Sequence, residues 1–229
     1  MSKQITIAID GAAATGKSTV AERLSQELNY LYLDTGVMYR AATWAALDQQ
    51  IDIADESAVS ERTERMSLRI TPPTQDDGRQ CTVLVGEQDI TWAIRSAEVE
   101  QYVSRVSSYP RVRTALTEQQ RVMAQQGAII MAGRDIGTVV LPQAELKIFM
   151  LASAERRAER RYDELIAKGE TANYEEVLTA IRERDRQDTE KPISPLVPAE
   201  DAVLVDTDQL NIEQVMAELH RLVEQRVAM

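Results

Sequence analysis

Gly11-Ala12-Ala13-Ala14-Thr15-Gly16-Lys17-Ser18 fits the pattern G-x-x-x-x-G-K-[ST] without a gap. Glycines in such a run let the chain wrap until successive backbone N–H groups converge on phosphate oxygens. Lys17 adds a mobile positive charge suited to β- and γ-phosphates, and the Ser18 hydroxyl is placed to ligate Mg²⁺. A short β-branched run, Ile5 to Ile9, precedes the loop; Val20, Leu24 and Leu28 follow it at helical spacing. The loop therefore joins a strand to a helix whose positive N-terminus faces the same anion. A glycine-rich turn with an incidental lysine is the bland alternative, and this setting argues against it. The loop reads as a nucleoside-triphosphate site.

Four further groups could act on what the loop holds. Leu33-Asp34-Thr35-Gly36, with Tyr39 and Arg40, stands at the carboxyl edge of a second strand. Ligands of open α/β sheets bind at that edge, so Thr35 and Arg40 could face a second substrate; Arg40 alone reads equally well as a solvated helix charge. Tyr109-Pro110-Arg111-Val112-Arg113 sets two arginines at the start of a helix. Gly133-Arg134-Asp135-Ile136-Gly137-Thr138 follows another strand directly, where Arg134 could hold phosphate and Asp135 could accept from a base amine or position Mg²⁺. Arg156, Arg157, Arg160 and Arg161 form one arginine run, and Arg182, Arg184 and Arg186, with Asp185, Asp188 and Lys191, form another. Solvated i,i+4 pairing accounts for some of them. Arginine is nonetheless the residue that binds phosphate with two parallel hydrogen bonds. Gly169 between the runs would let them move as a lid that keeps water from a phosphoryl group in transit.

The elements that must position these groups alternate. Strands are expected at Ile5–Ile9, Leu31–Leu33, Ala128–Ala132, Leu146–Leu151 and Ala202–Val205. Helices are expected from Lys17, over Met38–Asp48 and Val112–Gln126, from Ala154 in one or two pieces to Lys191, and over Ile212–Val227. Turn signals at Thr71-Pro72-Pro73, Asp76-Asp77-Gly78 and Gly86-Glu87 divide residues 50–100 into short alternating stretches, read as a small antiparallel insertion with strands at Leu68–Ile70, Cys81–Val85 and Gln88–Ile90. The sum is a P-loop α/β/α fold: three layers, a central parallel sheet, one β-containing insertion and a helical, arginine-rich lid.

Composition narrows the chemistry. The 229 residues carry 26 Lys+Arg against 37 Asp+Glu, a formal charge of −11, which disfavours general nucleic-acid or anionic-membrane binding. One His and one Cys exclude an internal disulfide and all but exclude a zinc cluster, Cys-His catalysis or a Ser-His-Asp triad. Cys81 is expected as a small buried residue in a strand, and His220 as a solvent-facing helix residue. MSKQITIAID lacks the apolar core of a signal peptide, and no stretch approaches the roughly 18 apolar residues of a membrane span, so a cytoplasmic, monomeric protein is expected.

In order along the chain, GAAATGKST, LDTGVMYR, YPRVR, GRDIGTVV, IFMLAS, the ERRAERR run, RERDRQD and ISPLVPA resemble the bacterial cytidylate kinases, within the nucleoside-monophosphate kinases. The resemblance runs nearly end to end. The segment holding Ile94-Arg95-Ser96 and Glu98-Val99 is similar to the enlarged monophosphate-binding insertion of the bacterial type. It implies one kinase domain over 1–229, with a core at about 1–36, 105–152 and 200–229, the insertion at 37–104 and the lid at 153–190.

It also implies roles. ATP is expected on Gly11 through Thr19 (Gly11, Ala12, Ala13, Ala14, Thr15, Gly16, Lys17, Ser18 and Thr19), with Mg²⁺ at Ser18. Thr35, Tyr39 and Arg40 are expected on the monophosphate and sugar side, and Ser104 and Arg113 on cytosine and phosphate. Arg134 and Asp135 form the GRD pair, with Asp135 towards cytosine or ribose. Arg184 and Asp188, with Lys191, would grip phosphate and the ribose hydroxyls; Arg157 and Arg161 would reach the triphosphate. Lys17, Arg134, Arg157, Arg161 and Arg184 are then the catalytic set, for γ-phosphoryl transfer from ATP to CMP and dCMP. Three positions depart from the usual pattern: Ala12 for Pro, Lys191 for Arg, which loses the fork geometry, and Thr35 for Ser, which keeps the hydroxyl. A UMP or AMP kinase is the near alternative. A P-loop ATPase switch is the distant one, disfavoured because the Ala128–Ala132 strand ends in Gly-Arg-Asp.

Overall fold

The computed structural model describes residues 4–125, 127–191 and 193–228. In chain order the first half holds β1 (Thr6–Gly11), α1 (Lys17–Leu28), β2 (Leu31–Asp34), α2 (Thr35–Asp48), α3 (Glu56–Glu64), β3 (Leu68–Thr71), β4 (Thr82–Val85), β5 (Gln88–Asp89), α4 (Ala97–Val106) and α5 (Pro110–Ala124). The second half holds β6 (Ile129–Gly133), β7 (Leu146–Leu151), α6 (Ala154–Ala167), α7 (Tyr174–Glu190), β8 (Val203–Asp206) and α8 (Ile212–Val227). A short 3-10 turn, Ala93–Arg95, precedes α4, and a π-helical turn, Ile136–Val140, follows β6. The chain divides into two compact units, residues 34–122 and the remainder.

The discontinuous unit is built on a five-stranded sheet of order β2-β6-β1-β7-β8, parallel at the β1–β6, β1–β7 and β7–β8 pairings. β1 lies at its centre, with Ile7 opposite Ile130 on one side and Leu146 on the other. The inner strands β1 and β6 are buried on both faces, so Ile7–Ile9 and Ile129–Ala132 are apolar without alternation. Val20, Ala21 and Leu24 of α1 and Val215, Met216, Leu219 and Leu222 of α8 close over Ile7, Ile9, Ile130, Ile148 and Met150 in one core. A smaller cluster joins Ala158 of α6 to Leu178 and Ile181 of α7. Helix starts follow their caps: Ser153 accepts from Arg156, Asn173 from Glu175, and Asn211 trades bonds with Gln214.

The α/β class and the flanked parallel sheet agree with the expectation from sequence. In the contiguous unit β3, β4 and β5 form the expected antiparallel sheet. Four expectations need correction. Residues 50–100 hold helix beside the small sheet: α3 precedes it and α4 begins after it, in stretches to which no helix was given. α2 begins at Thr35, since Asp34, the last residue of β2, also caps the helix by accepting from the Gly36 N–H at 2.9 Å. The helix expected at Val112–Gln126 runs Pro110–Ala124, as proline suits a first turn; Gln126 lies outside the described residues. Cys81 is half-buried in a bend before β4, not within the strand. His220 is partly exposed and meets Glu27. Residues 1–3 of the segment tested for a leader also lie outside the described residues. No helix among the described residues is long and apolar enough to cross a membrane.

Candidate active site

Backbone geometry shapes the phosphate loop first. A Cβ on Gly11 would stand 2.7 Å from the Met150 carbonyl oxygen, so β1 can lie this close to β7 only with glycine there. Gly16, with φ of 87°, turns the chain into α1, and Ala14 also adopts a left-handed φ of 60°. The loop's carbonyls are then taken up by cations. Lys17 Nζ donates to Ala12 O at 2.9 Å, Arg157 Nη1 to Ala13 O at 3.3 Å and Arg160 Nη1 to Thr15 O at 3.0 Å. Thr15 Oγ1 donates to Ala12 O as well, at 3.0 Å.

Arg157 and Arg161 lie on α6 but in different surroundings. Arg157 is buried; its fork holds Asp185 of α7 at 2.8 and 2.5 Å, and its Nε donates to Ala152 O at 3.0 Å. Arg161 is exposed and pairs with Glu164 at 2.9 Å. Arg160, named in the first arginine run but given no role of its own, reaches both Thr15 and Thr207, donating to Thr207 O at 2.7 Å. Thr207 is anchored in turn to Leu151 O through its N–H at 2.9 Å. Thr15 through Thr19, Arg160, Arg161 and Thr207 help line a cleft of about 400 Å³ beside the loop.

A second cluster sits on the turn after β6. Asp188, buried on α7, meets Arg134 Nε and accepts from Lys191 Nζ at 3.0 Å. Burial alone would raise its pKa; the Arg134 and Lys191 charges outweigh that and hold it below the ordinary carboxylate range. Asp135 is buried beside them, and Arg184 lies half-buried on α7. Asp10 accepts from Ile136 N at 2.8 Å and Gly137 N at 2.7 Å; burial pushes its pKa up to about 6 against those two bonds.

The contiguous unit carries the remaining expected residues. Thr35 is buried at the first turn of α2. One turn on, Tyr39 packs its ring under the Arg113 guanidinium of α5, 5.6 Å from the centroid. Arg113 also donates to Ser107 O at 3.2 Å. Arg40 pairs with Glu100 of α4 at 2.5 Å, and Ser104 lies one turn further along α4. Three helices thus gather Tyr39, Arg40 and Arg113, with Ser104 on the same α4 that holds Arg40's partner.

Sequence reasoning did not assign Asp10, Arg160, Asp185 and Thr207. Asp10 had a visible signal, a carboxylate directly before the first loop glycine; Arg160 and Asp185 stood out only as members of the two arginine-rich runs, and Thr207 had no signal beyond residue type. Among the described residues no cluster of three His, Cys, Asp or Glu could hold a metal. That donor set still fits Mg²⁺, which keeps most of its waters and takes phosphate oxygens plus one or two protein oxygens. Ser18 at the start of α1 is such a group.

Comparison with known proteins bears on the whole chain. The sequence model of the cytidylate kinase family matches residues 7–225. A cytidylate kinase from Listeria monocytogenes serovar 1/2a is 47% identical over 99% of both chains. One from Carboxydothermus hydrogenoformans is 48% identical over 95% of this chain and 96% of that one, and one from Bacillus subtilis 44% over 99% of both. Among solved structures, an uncharacterised protein from Eubacterium ventriosum superposes with a TM-score of 0.53 at 12% identity, covering 97% of this chain and 99% of that one, a likeness of fold alone. A nucleotide-binding loop set in a parallel α/β sheet, inside a sequence matched almost from end to end, makes this chain a phosphotransferase of the cytidylate kinase family.

Proposed function

We propose that the chain transfers the γ-phosphoryl group of ATP to CMP and to dCMP, giving ADP with CDP or dCDP. The observation that carries this reading is the loop from Gly11 to Thr19, whose carbonyls at residues 12, 13 and 15 are engaged by cations. Loops of this glycine-bounded pattern at the start of a helix meet phosphate oxygens with backbone N–H groups. The full-length family match supports CMP as the acceptor.

The acceptor is a phosphate oxygen already ionised near neutral pH, so the reaction needs no strong general base; one histidine on the surface is no obstacle. Positioning and charge neutralisation remain as the work of the protein. Lys17 exchanges the Ala12 carbonyl for the β- and γ-phosphates. Arg157 and Arg161, on the proposed lid of α6 and α7, exchange Asp185 and Glu164 for triphosphate oxygens. Arg134 and Arg184 neutralise the transferring group, while Asp188 and Lys191 take the acceptor's ribose and phosphate. Thr35, Tyr39, Arg40 and Arg113 bind the acceptor's phosphate and sugar side; Ser104 and Asp135 read its base. Ser18 would hold Mg²⁺, which would supply charge neutralisation to the phosphates.

The test is ADP formation from ATP and Mg²⁺ with CMP, dCMP, UMP, dTMP, AMP and GMP offered separately. Turnover confined largely to CMP and dCMP is expected. Preference for UMP or AMP would keep the phosphate roles and void those of Ser104 and Asp135. ADP formation independent of any monophosphate would overturn the kinase reading.

A further inference from the structure

Asp10 is the last acidic side chain of β1, only 5% exposed, and the phosphoryl transfer described above leaves it unused. Both of its carboxylate oxygens are committed. Oδ1 accepts from Ile136 N and Oδ2 from Gly137 N, residues 126 and 127 positions further along the chain. These two N–H groups belong to the turn whose first side chain, Arg134, grips Asp188. The turn is pressed against the carboxylate: a Cβ on Gly137 would lie 3.3 Å from Asp10 Oδ2 and 3.2 Å from Lys147 Cδ. The charged groups facing Asp10 are Asp135 from the turn and Lys17 from α1. Lys147 of β7 packs on the same glycine while its ammonium is turned to Asp201 at 2.8 Å.

We propose that Asp10 is a positioning residue for phosphoryl transfer, clamping the Gly133–Gly137 turn to the base of the phosphate loop so that Arg134 is held in working register with it. The proposal rests on the kinase reading given above. An ionised carboxylate accepts at both oxygens, whereas the protonated acid turns one oxygen into an O–H donor that meets an N–H donor. One side of the clamp then opens. With its pKa pushed up to about 6 by burial, the clamp is closed at neutral pH and half open about one unit below.

Two measurements decide the matter. In ligand-free, isotope-labelled full-length protein, the amide protons of Ile136 and Gly137 and the Nε–H of Arg134 are expected to titrate together with a midpoint near pH 6. Amide shifts that titrate while Arg134 Nε–H stays fixed, or amides that do not titrate, overturn the proposal. In Asp10→Asn, kcat per folded protein is expected to fall about 10- to 100-fold, the loss of one charge-assisted hydrogen bond, with KM for both nucleotides within about threefold. The acid limb of kcat near pH 6 should disappear, leaving only the acceptor phosphate's own ionisation near pH 6 in kcat/KM. A merely structural role would lower Tm and the folded fraction but leave kcat per folded molecule and its pH profile unchanged, and that result sinks the proposal. Should Asp10→Asn not fold, the titration of the unmodified protein still supports or overturns the clamp. Should the unmodified protein transfer no phosphoryl group, the kinase reading fails on that assay, while the ligand-free titration shows separately whether the clamp exists.

Discussion

Lys17 illustrates how much one side chain can be asked to do without holding the fold together. Its ammonium bonds a loop carbonyl at 2.9 Å and sits at a half-buried position, so its removal leaves no cavity in the core. Lys17→Ala is expected to lower turnover by about a hundredfold or more, as losing a preorganised charge at a transferring group does. The same variant should keep its circular dichroism spectrum and melt within a few degrees of the unmodified protein. Near-normal turnover would remove Lys17 from the mechanism. The loop proposed to hold the triphosphate was legible because it is contiguous: eight positions, Gly11 to Ser18, carry the whole pattern. Arg160 and Thr207 were not, because each bonds a backbone group far away in sequence; Asp10 stands visibly before the loop, but its two N–H partners lie 126 and 127 positions on. Arg160 meets Thr15 across 145 positions, and nothing in its neighbours says which carbonyl it will find.

Among the elements, legibility followed periodicity. β7 and α8 were read with their observed bounds, since an apolar run before Ala152 and an i,i+3/i+4 stripe from Ile212 leave little choice. α3 escaped because ESAVSERTE has almost no apolar stripe; Val59 is its one large buried residue. α4 was legible in principle: Val99, Val103 and Val106 fall on one face, but attention to the turn signals upstream left residues 97–106 without an element. The three-stranded sheet of the insertion carries a charged centre that propensities do not reveal. Arg79, with its side chain 3% exposed, holds Asp77 and Asp89, each at 2.6 Å, and the Trp92 indole donates to Asp77 at 2.9 Å. The bond from Arg79 holds Asp77 well below the ordinary carboxylate range. Arg79→Ala strands two carboxylates around an empty slot. It is expected to lower Tm by about 5 °C and to change the emission of Trp92. Arg79→Lys should recover only part of that loss, because an ammonium lacks the fork that spans two carboxylates. An unchanged Tm in Arg79→Ala would show that the network adds nothing to stability.

For the whole molecule, two buried carboxylates pull the pH dependence of stability in opposite directions. Asp10 has a folded pKa of about 6, above its ordinary value of 3.8, so the folded chain binds its proton more tightly than the unfolded chain does. Between about pH 4 and pH 6 that residue makes stability fall as pH rises, by about 3 kcal/mol in all. Asp188 is held low, so its contribution is complete above the ordinary carboxylate range and is lost as pH falls through its folded value. Urea unfolding at pH 7, 6, 5 and 4 should therefore show the unmodified protein gaining stability relative to Asp10→Asn as the pH drops. Relative to Asp188→Asn, the unmodified protein should hold its advantage over that range and lose it only under stronger acid. A constant gap between Asp10→Asn and the unmodified protein would mean that Asp10 does not titrate in this window.

The central place of β1 also sets a timetable for synthesis. Its partners, β6 and β7, begin at residues 129 and 146, whereas residues 34–122 form a contiguous unit that leaves the ribosome earlier. Pairings this far apart in sequence close slowly, and domains emerging first tend to fold first. On a nascent chain the strand Thr6–Gly11 must therefore wait, apolar and unpaired, while the later-coded unit assembles beyond it. Chains interrupted anywhere before Leu151 would carry that strand as an open edge, ready to pair with another copy.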